Sequence, residues 1–80
     1  MDRRRGRLEI LGEILSICRK GVNKTRIVYG ANSNFKLMSE YLKFLLERGM
    51  VTERNRIWRT TDRGRKFLNH LHDLKLLMLW

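Results

Sequence analysis

KTRIVYGANSNFKLMSEYLKFLLERGMV, residues 24–51, holds two stretches of helical periodicity separated by three polar residues. In the first, Ile27, Val28 and Ala31 share one side of a short helix, Lys24–Ala31, and Asn23 stands where an N-cap is needed. Asn32, Ser33 and Asn34 form a polar turn, and Asn34 caps the helix that follows. That helix, Phe35–Arg48, carries Leu37, Met38, Tyr41, Leu42, Leu45 and Leu46 on one side. The other side holds Lys36, Ser39, Glu40, Lys43 and Glu47. Gly49 is its stop signal.

Toward the N-terminus, Leu8, Leu11, Leu15 and Cys18, with Ile10, Ile14 and Ile17, give a helix over Leu8–Arg19 with a broad buried face, ended by Gly21. Before it lies a basic arm, residues 1–7, with Arg3, Arg4, Arg5 and Arg7. Toward the C-terminus, Met50–Arg54 and Arg56–Thr60 are short, rich in Val, Thr, Ile and Trp, and flank Asn55, which tolerates positive φ. They predict a β-hairpin. Trp58 belongs in the core beneath it. Thr61 caps a last helix reaching Trp80, about 28 Å long. Gly64 within its first turns predicts close approach to another helix. The expected architecture is mainly α (α+β) in the order α-α-α-β-β-α. It divides into an arm (1–7), a compact unit (8–61) and a C-terminal helix (62–80).

Lys and Arg number 18 against 8 Asp and Glu, a formal net charge of +10 in 80 residues. Such an excess fits a polyanionic partner, and a hydrophobic share of 42% fits a folded domain better than a basic tail. The single cysteine, Cys18, cannot form an intramolecular disulfide, which fits a reducing, cytoplasmic setting. It lies on the buried face of the first helix as a small core residue. The apolar stretches are too short to span a bilayer. There is no Gly-rich phosphate loop and no Ser/His/Asp set, so no enzyme and no small-molecule substrate is indicated. His70 and His72, two apart on a helix, face different ways and make a poor metal pair. Neither a cofactor nor a metal is expected.

A short helix, a tight polar turn and a second helix followed by a hairpin form a helix-turn-helix with a wing. In that arrangement the second helix lies in the major groove of DNA and the first crosses the backbone. The groove-facing candidates are Ser33, Asn34, Lys36, Ser39 and Lys43, and Lys24, Thr25 and Arg26 at a helix N-terminus are candidate phosphate clamps. Arg54, Asn55 and Arg56 form the wing tip. Glu40 either accepts from a cytosine amine or pairs with Lys36 or Lys43 along the helix. Phe67, Leu71, Leu74 and Met78 follow the a/d spacing of a coiled coil and point to a homodimer through the last helix. Leu68, Leu76, Leu77, Leu79 and Trp80 add apolar surface in the same region.

Residues 24–51, together with TTDRG at 60–64, resemble the archaeal winged-helix family of small DNA-binding proteins and transcriptional regulators. The resemblance implies a dimer joined by an antiparallel coiled coil of the long C-terminal helices, presenting two winged helices to duplex DNA. It implies a nucleoid-associated role, either chromatin-type or operator-specific. By position, Asn34, Lys36, Ser39 and Lys43 match the exposed face of the recognition helix, and Arg54, Asn55 and Arg56 match the wing, here shorter than in most members. From the residues alone, two other readings stand beside duplex binding. One is an RNA-binding or ribosome-associated basic module; the other is a protein-interaction adaptor in a transcription complex.

Overall fold

A computed structural model describes residues 6–78. The order is α1 (Arg7–Ile17), a 3₁₀ turn (Cys18–Lys20), α2 (Lys24–Gly30), α3 (Phe35–Glu47), β1 (Val51–Arg54), β2 (Ile57–Thr60) and α4 (Asp62–Met78). This is the expected α-α-α-β-β-α order. The first helix starts one residue early, at Arg7, because Glu9 Oε1 accepts the Gly6 N–H at 3.1 Å and closes its first turn. It ends two residues early, the chain tightening into the 3₁₀ turn before Gly21. The rest of the basic arm, Arg3 to Arg5, lies outside the described residues, as do Leu79 and Trp80.

Local chemistry fixes the starts of α2 and α3 and the end of α3. Asn23 Oδ1 accepts the Arg26 N–H and Asn34 Oδ1 accepts the Leu37 N–H, both at 2.8 Å. At the end of α3 the Gly49 N–H donates to Leu46 O at 3.1 Å and the Met50 N–H to Leu45 O at 2.9 Å. That pair of bonds is a Schellman closure, and it needs the positive φ of 71° that Gly49 adopts. The strands pair antiparallel, Val51 with Thr60 through Arg54 with Ile57. Asn55 and Arg56 alone form the turn, with φ of 53° and 66°. Arg56 therefore belongs to the turn and not to the second strand. Two successive positive φ values match the twist of the strands, and Glu53 Oε2 holds the turn by accepting the Arg56 N–H at 2.9 Å.

The hairpin does not stand alone. Val22, between the 3₁₀ turn and α2, exchanges two backbone hydrogen bonds with Trp58, at 3.0 and 2.7 Å. Buried Thr60 donates its hydroxyl to Leu15 O at 2.6 Å, taking a carbonyl in the last turn of α1. Trp58 packs partly buried against the core, as expected. That core joins Ile14, Leu15 and Cys18 with Ile27, Met38, Leu42, Leu45, Val51 and Leu68. Burial pushes the Cys18 thiol up to about 12. The sulfur therefore stays a neutral packing atom over the ordinary pH range.

Helix α4 starts on Thr61, whose Oγ1 accepts the Gly64 N–H at 3.1 Å and donates to Gly49 O at 2.7 Å. Gly64 makes the close approach that its position in the helix suggested, but to a different neighbour. A Cβ there would lie 2.2 Å from Met50 O and 2.7 Å from Thr60 Cγ2. The neighbour is the backbone between α3 and β1, not a helix. Thr61 N donates to the same Met50 carbonyl at 3.0 Å and draws that backbone onto the first turn of α4. Further along, Leu68 and Leu71 are buried, and Leu71 lies over Gly12 of α1.

Candidate nucleic-acid interface

Helix α3 divides cleanly. Met38, Leu42 and Leu45 are buried in the core shared with α1 and α2, while Lys36, Glu40, Lys43 and Glu47 stand on the opposite, exposed face. Among the described residues neither lysine forms an ion pair with Glu40 or Glu47, so both ammonium groups stay available. The face is therefore rigid at its back and charged at its front, flanked by half-exposed Phe35 and by Leu46. The Arg48 guanidinium stacks on the Phe44 ring, 4.5 Å from its centroid.

Two candidates meet each other. The Lys24 ammonium donates to Ser39 Oγ, and both side chains are half-buried. Lys24 is thus turned toward α3 and ties α2 to it, with two ammonium protons left for other acceptors. Asn34 spends its carbonyl oxygen on the cap of α3 and keeps its amide N–H groups. Ser33 is half-buried at the turn, its N–H bonded to Val28 O at 3.0 Å. Thr25 and Arg26 are exposed at the start of α2, and Arg54, Asn55 and Arg56 are exposed at the hairpin tip.

The sequence places Arg59 just after the basic hairpin tip but does not show what it holds. Its guanidinium donates to Lys20 O at 2.9 Å and pins the hairpin to the 3₁₀ turn. No local pattern announces a bond across 39 positions. The sequence does not show the Val22 bridge either, because a single paired residue has no period.

The four candidates for pairing between chains fall into two groups. Leu71 is buried on its own domain and Phe67 packs partly buried against the core. Leu74 and Met78 are exposed at 52% and 83%, as are Leu76 at 62% and Leu77 at 70%. After Leu71 the helix runs clear of the domain. Among the described residues, no helix is long and apolar enough to cross a membrane, and no three His, Cys, Asp or Glu residues gather as a metal site.

An uncharacterized protein of Methanocaldococcus jannaschii is 33% identical to this chain over 76 residues, covering 94% of this chain and 78% of that protein. The crystal structure of Sso10a-2, a DNA-binding protein from Sulfolobus solfataricus, superposes with a TM-score of 0.82 at 28% identity. The match covers 92% of this chain and 82% of that one. Residues 4–79 match the sequence model of the winged helix-turn-helix family, and the chain belongs to that family.

Proposed function

We propose that the chain binds double-stranded DNA, with α3 in the major groove and the hairpin tip against the neighbouring backbone or minor groove. It serves as a transcriptional regulator or as a chromatin-type architectural protein of the nucleoid. The observation that carries this reading is the exposed row of Lys36 and Lys43 on a helix whose back is locked in the core. A rigid helix with unpaired cations on its outer face suits a groove walled by phosphates. The similarity to a structure described as that of a DNA-binding protein supports it. The test is a fluorescence-anisotropy titration into a labelled duplex at two salt concentrations, with a matched RNA hairpin alongside. The expected result is tighter duplex binding with a log–log salt slope of roughly −0.9 per neutralised phosphate. Preference for the RNA at matched salt overturns the reading.

Arg56 supports a role for the wing. A non-glycine residue at positive φ costs about 1–2 kcal/mol, and glycine is the favoured second residue of such a turn. Strain retained at an exposed arginine suggests that the side chain is needed there. Arg56→Gly is therefore expected to raise Tm by a few degrees, a gain of about 0.5–1 kcal/mol once glycine's extra unfolded-state entropy is subtracted. It is expected to weaken duplex binding several-fold. A stabilised variant with unchanged affinity removes the wing tip from the interface.

We further propose a homodimer formed through the free end of α4, where Leu74 and Met78 continue the line of Phe67 and Leu71. Sedimentation at micromolar concentration is expected to give a dimer for the native chain and a folded monomer for Leu74→Asp/Met78→Asp, since neither residue enters the core. A native chain that sediments as a monomer rules the dimer out.

A further inference from the structure

Away from α3, the end of α1, the 3₁₀ turn and the starts of α2 and α4 enclose an open cleft of about 640 Å³. Arg19, Lys20, Arg26 and Arg65 surround it over a floor that includes Ile17 and Val22, and no residue of α3 lines it. Among the described residues, Arg65 pairs with Asp62, whereas the side chains of Arg19, Lys20 and Arg26 have no hydrogen-bond or ion-pair partner. Four cations gathered around one concavity repel each other, and a single carboxylate offsets them only in part. An anionic ligand removes that repulsion and gains from the focused field of the cleft.

The cleft is also continuous with the proposed interface. It shares Val22 and Arg26 with a depression over the start of α2, and that depression shares Ile57 with the groove beside Arg54 and Asn55. A track carrying Arg54 and Arg59, then Arg26, then Arg19, Lys20 and Arg65, with Glu53 the one acid lining it among the described residues, thus runs from the wing tip, past the start of α2, around to the start of α4. The arginine geometry suits phosphate oxygens, and the space exceeds what one phosphate fills.

We propose that this cleft is a second phosphate-backbone site, holding phosphodiesters of duplex DNA that α3 does not touch. The inference rests on the DNA-binding reading above. The phosphates come from one of two sources, the flank of the duplex held by α3 or a second duplex.

The experiment compares the native chain with Arg19→Ala/Lys20→Ala, whose side chains play no part in packing or capping. Arg63→Ala/Lys66→Ala removes equal charge from α4 outside the cleft, and Arg19→Lys/Lys20→Arg keeps the charge within it. Affinity is measured across salt for a duplex of about one helical turn and for one of about three turns. In a separate arm, protein loaded on an immobilised duplex is offered a labelled second duplex. If the source is the flank, Arg19→Ala/Lys20→Ala flattens the salt slope on the long duplex by roughly 0.9 for each phosphate no longer neutralised and leaves the short one unchanged. If the source is a second duplex, the variant loses capture instead. Both controls are expected to behave as the native chain. Native slope and capture in Arg19→Ala/Lys20→Ala overturn the proposal, as does an equal effect from Arg63→Ala/Lys66→Ala. Lys36→Ala/Lys43→Ala on the short duplex tests α3 independently, so failure of the cleft and failure of the DNA-binding reading are told apart.

Discussion

Gly64→Ala is expected to destabilise the chain by about 2–3 kcal/mol, lowering Tm by roughly 10 °C or more. In an isolated helix the same change gains about 1 kcal/mol, because alanine is the better helix former. Here the new methyl group would sit 2.2 Å from Met50 O, a backbone atom held by its hydrogen bond from Thr61 N–H. A carbonyl fixed in that way cannot rotate aside, so α4 must lift off the α3–β1 corner. The Thr61 cap and the burial of Leu68 and Leu71 go with it. An 80-residue chain has little surplus core with which to absorb such a loss. Gly12→Ala provides the contrast. Its Cβ would meet Leu71 Cδ2 at 2.7 Å, the far end of a side chain that can change rotamer. A melting curve for each variant decides the matter, and a Gly64→Ala protein as stable as the native chain refutes the argument.

Lys36→Ala/Lys43→Ala is expected to lower duplex affinity about 100-fold at low salt while leaving Tm nearly unchanged. Each lysine contributes about 1–3 kcal/mol if it reaches a base edge, and every 1.4 kcal/mol is about a factor of ten. If the lysines reach phosphate instead, the weakening is shared across all sequences and the salt slope flattens by about 0.9 for each. The two cases separate when one variant is titrated against several duplex sequences. Both side chains are exposed and unpaired among the described residues, so the fold has no stake in them. Full affinity in the double variant takes α3 out of the groove.

The legible parts of the sequence were those with a local cause. Asn23 and Asn34 each announce a helix start, because a side-chain oxygen satisfies a backbone N–H three residues on. The apolar spacing of α3 placed Met38, Leu42 and Leu45 inside and Lys36 and Lys43 outside. What local pattern does not supply is long-range or collective. By position alone Lys24 and Ser39 are separate candidates for touching DNA, yet they bond each other across a turn whose geometry no spacing rule supplies. The role of Gly64 was legible as a close approach, whereas its neighbour depended on how the α3–β1 corner folds back. Phe67 and Leu71, half of the heptad-spaced residues of α4, pack on their own domain, and periodicity alone does not distinguish a partner chain from the chain itself.

The unbroken run of α4 from Gly64, seated on Met50, to the exposed Met78 makes it a stiff lever as well as a packing element. A continuous helix transmits rotation along its axis with little slack, since every turn is hydrogen-bonded to the next. Whatever grips the free end therefore sets the attitude of the corner from which β1 leaves α3. In a pair of chains gripped by their tails, the angle between the two α3 helices follows from the twist and length of α4. Inserting one residue after Leu71 swings the free apolar face by about 100°, whereas inserting seven moves it outward by about 10 Å with its direction almost preserved.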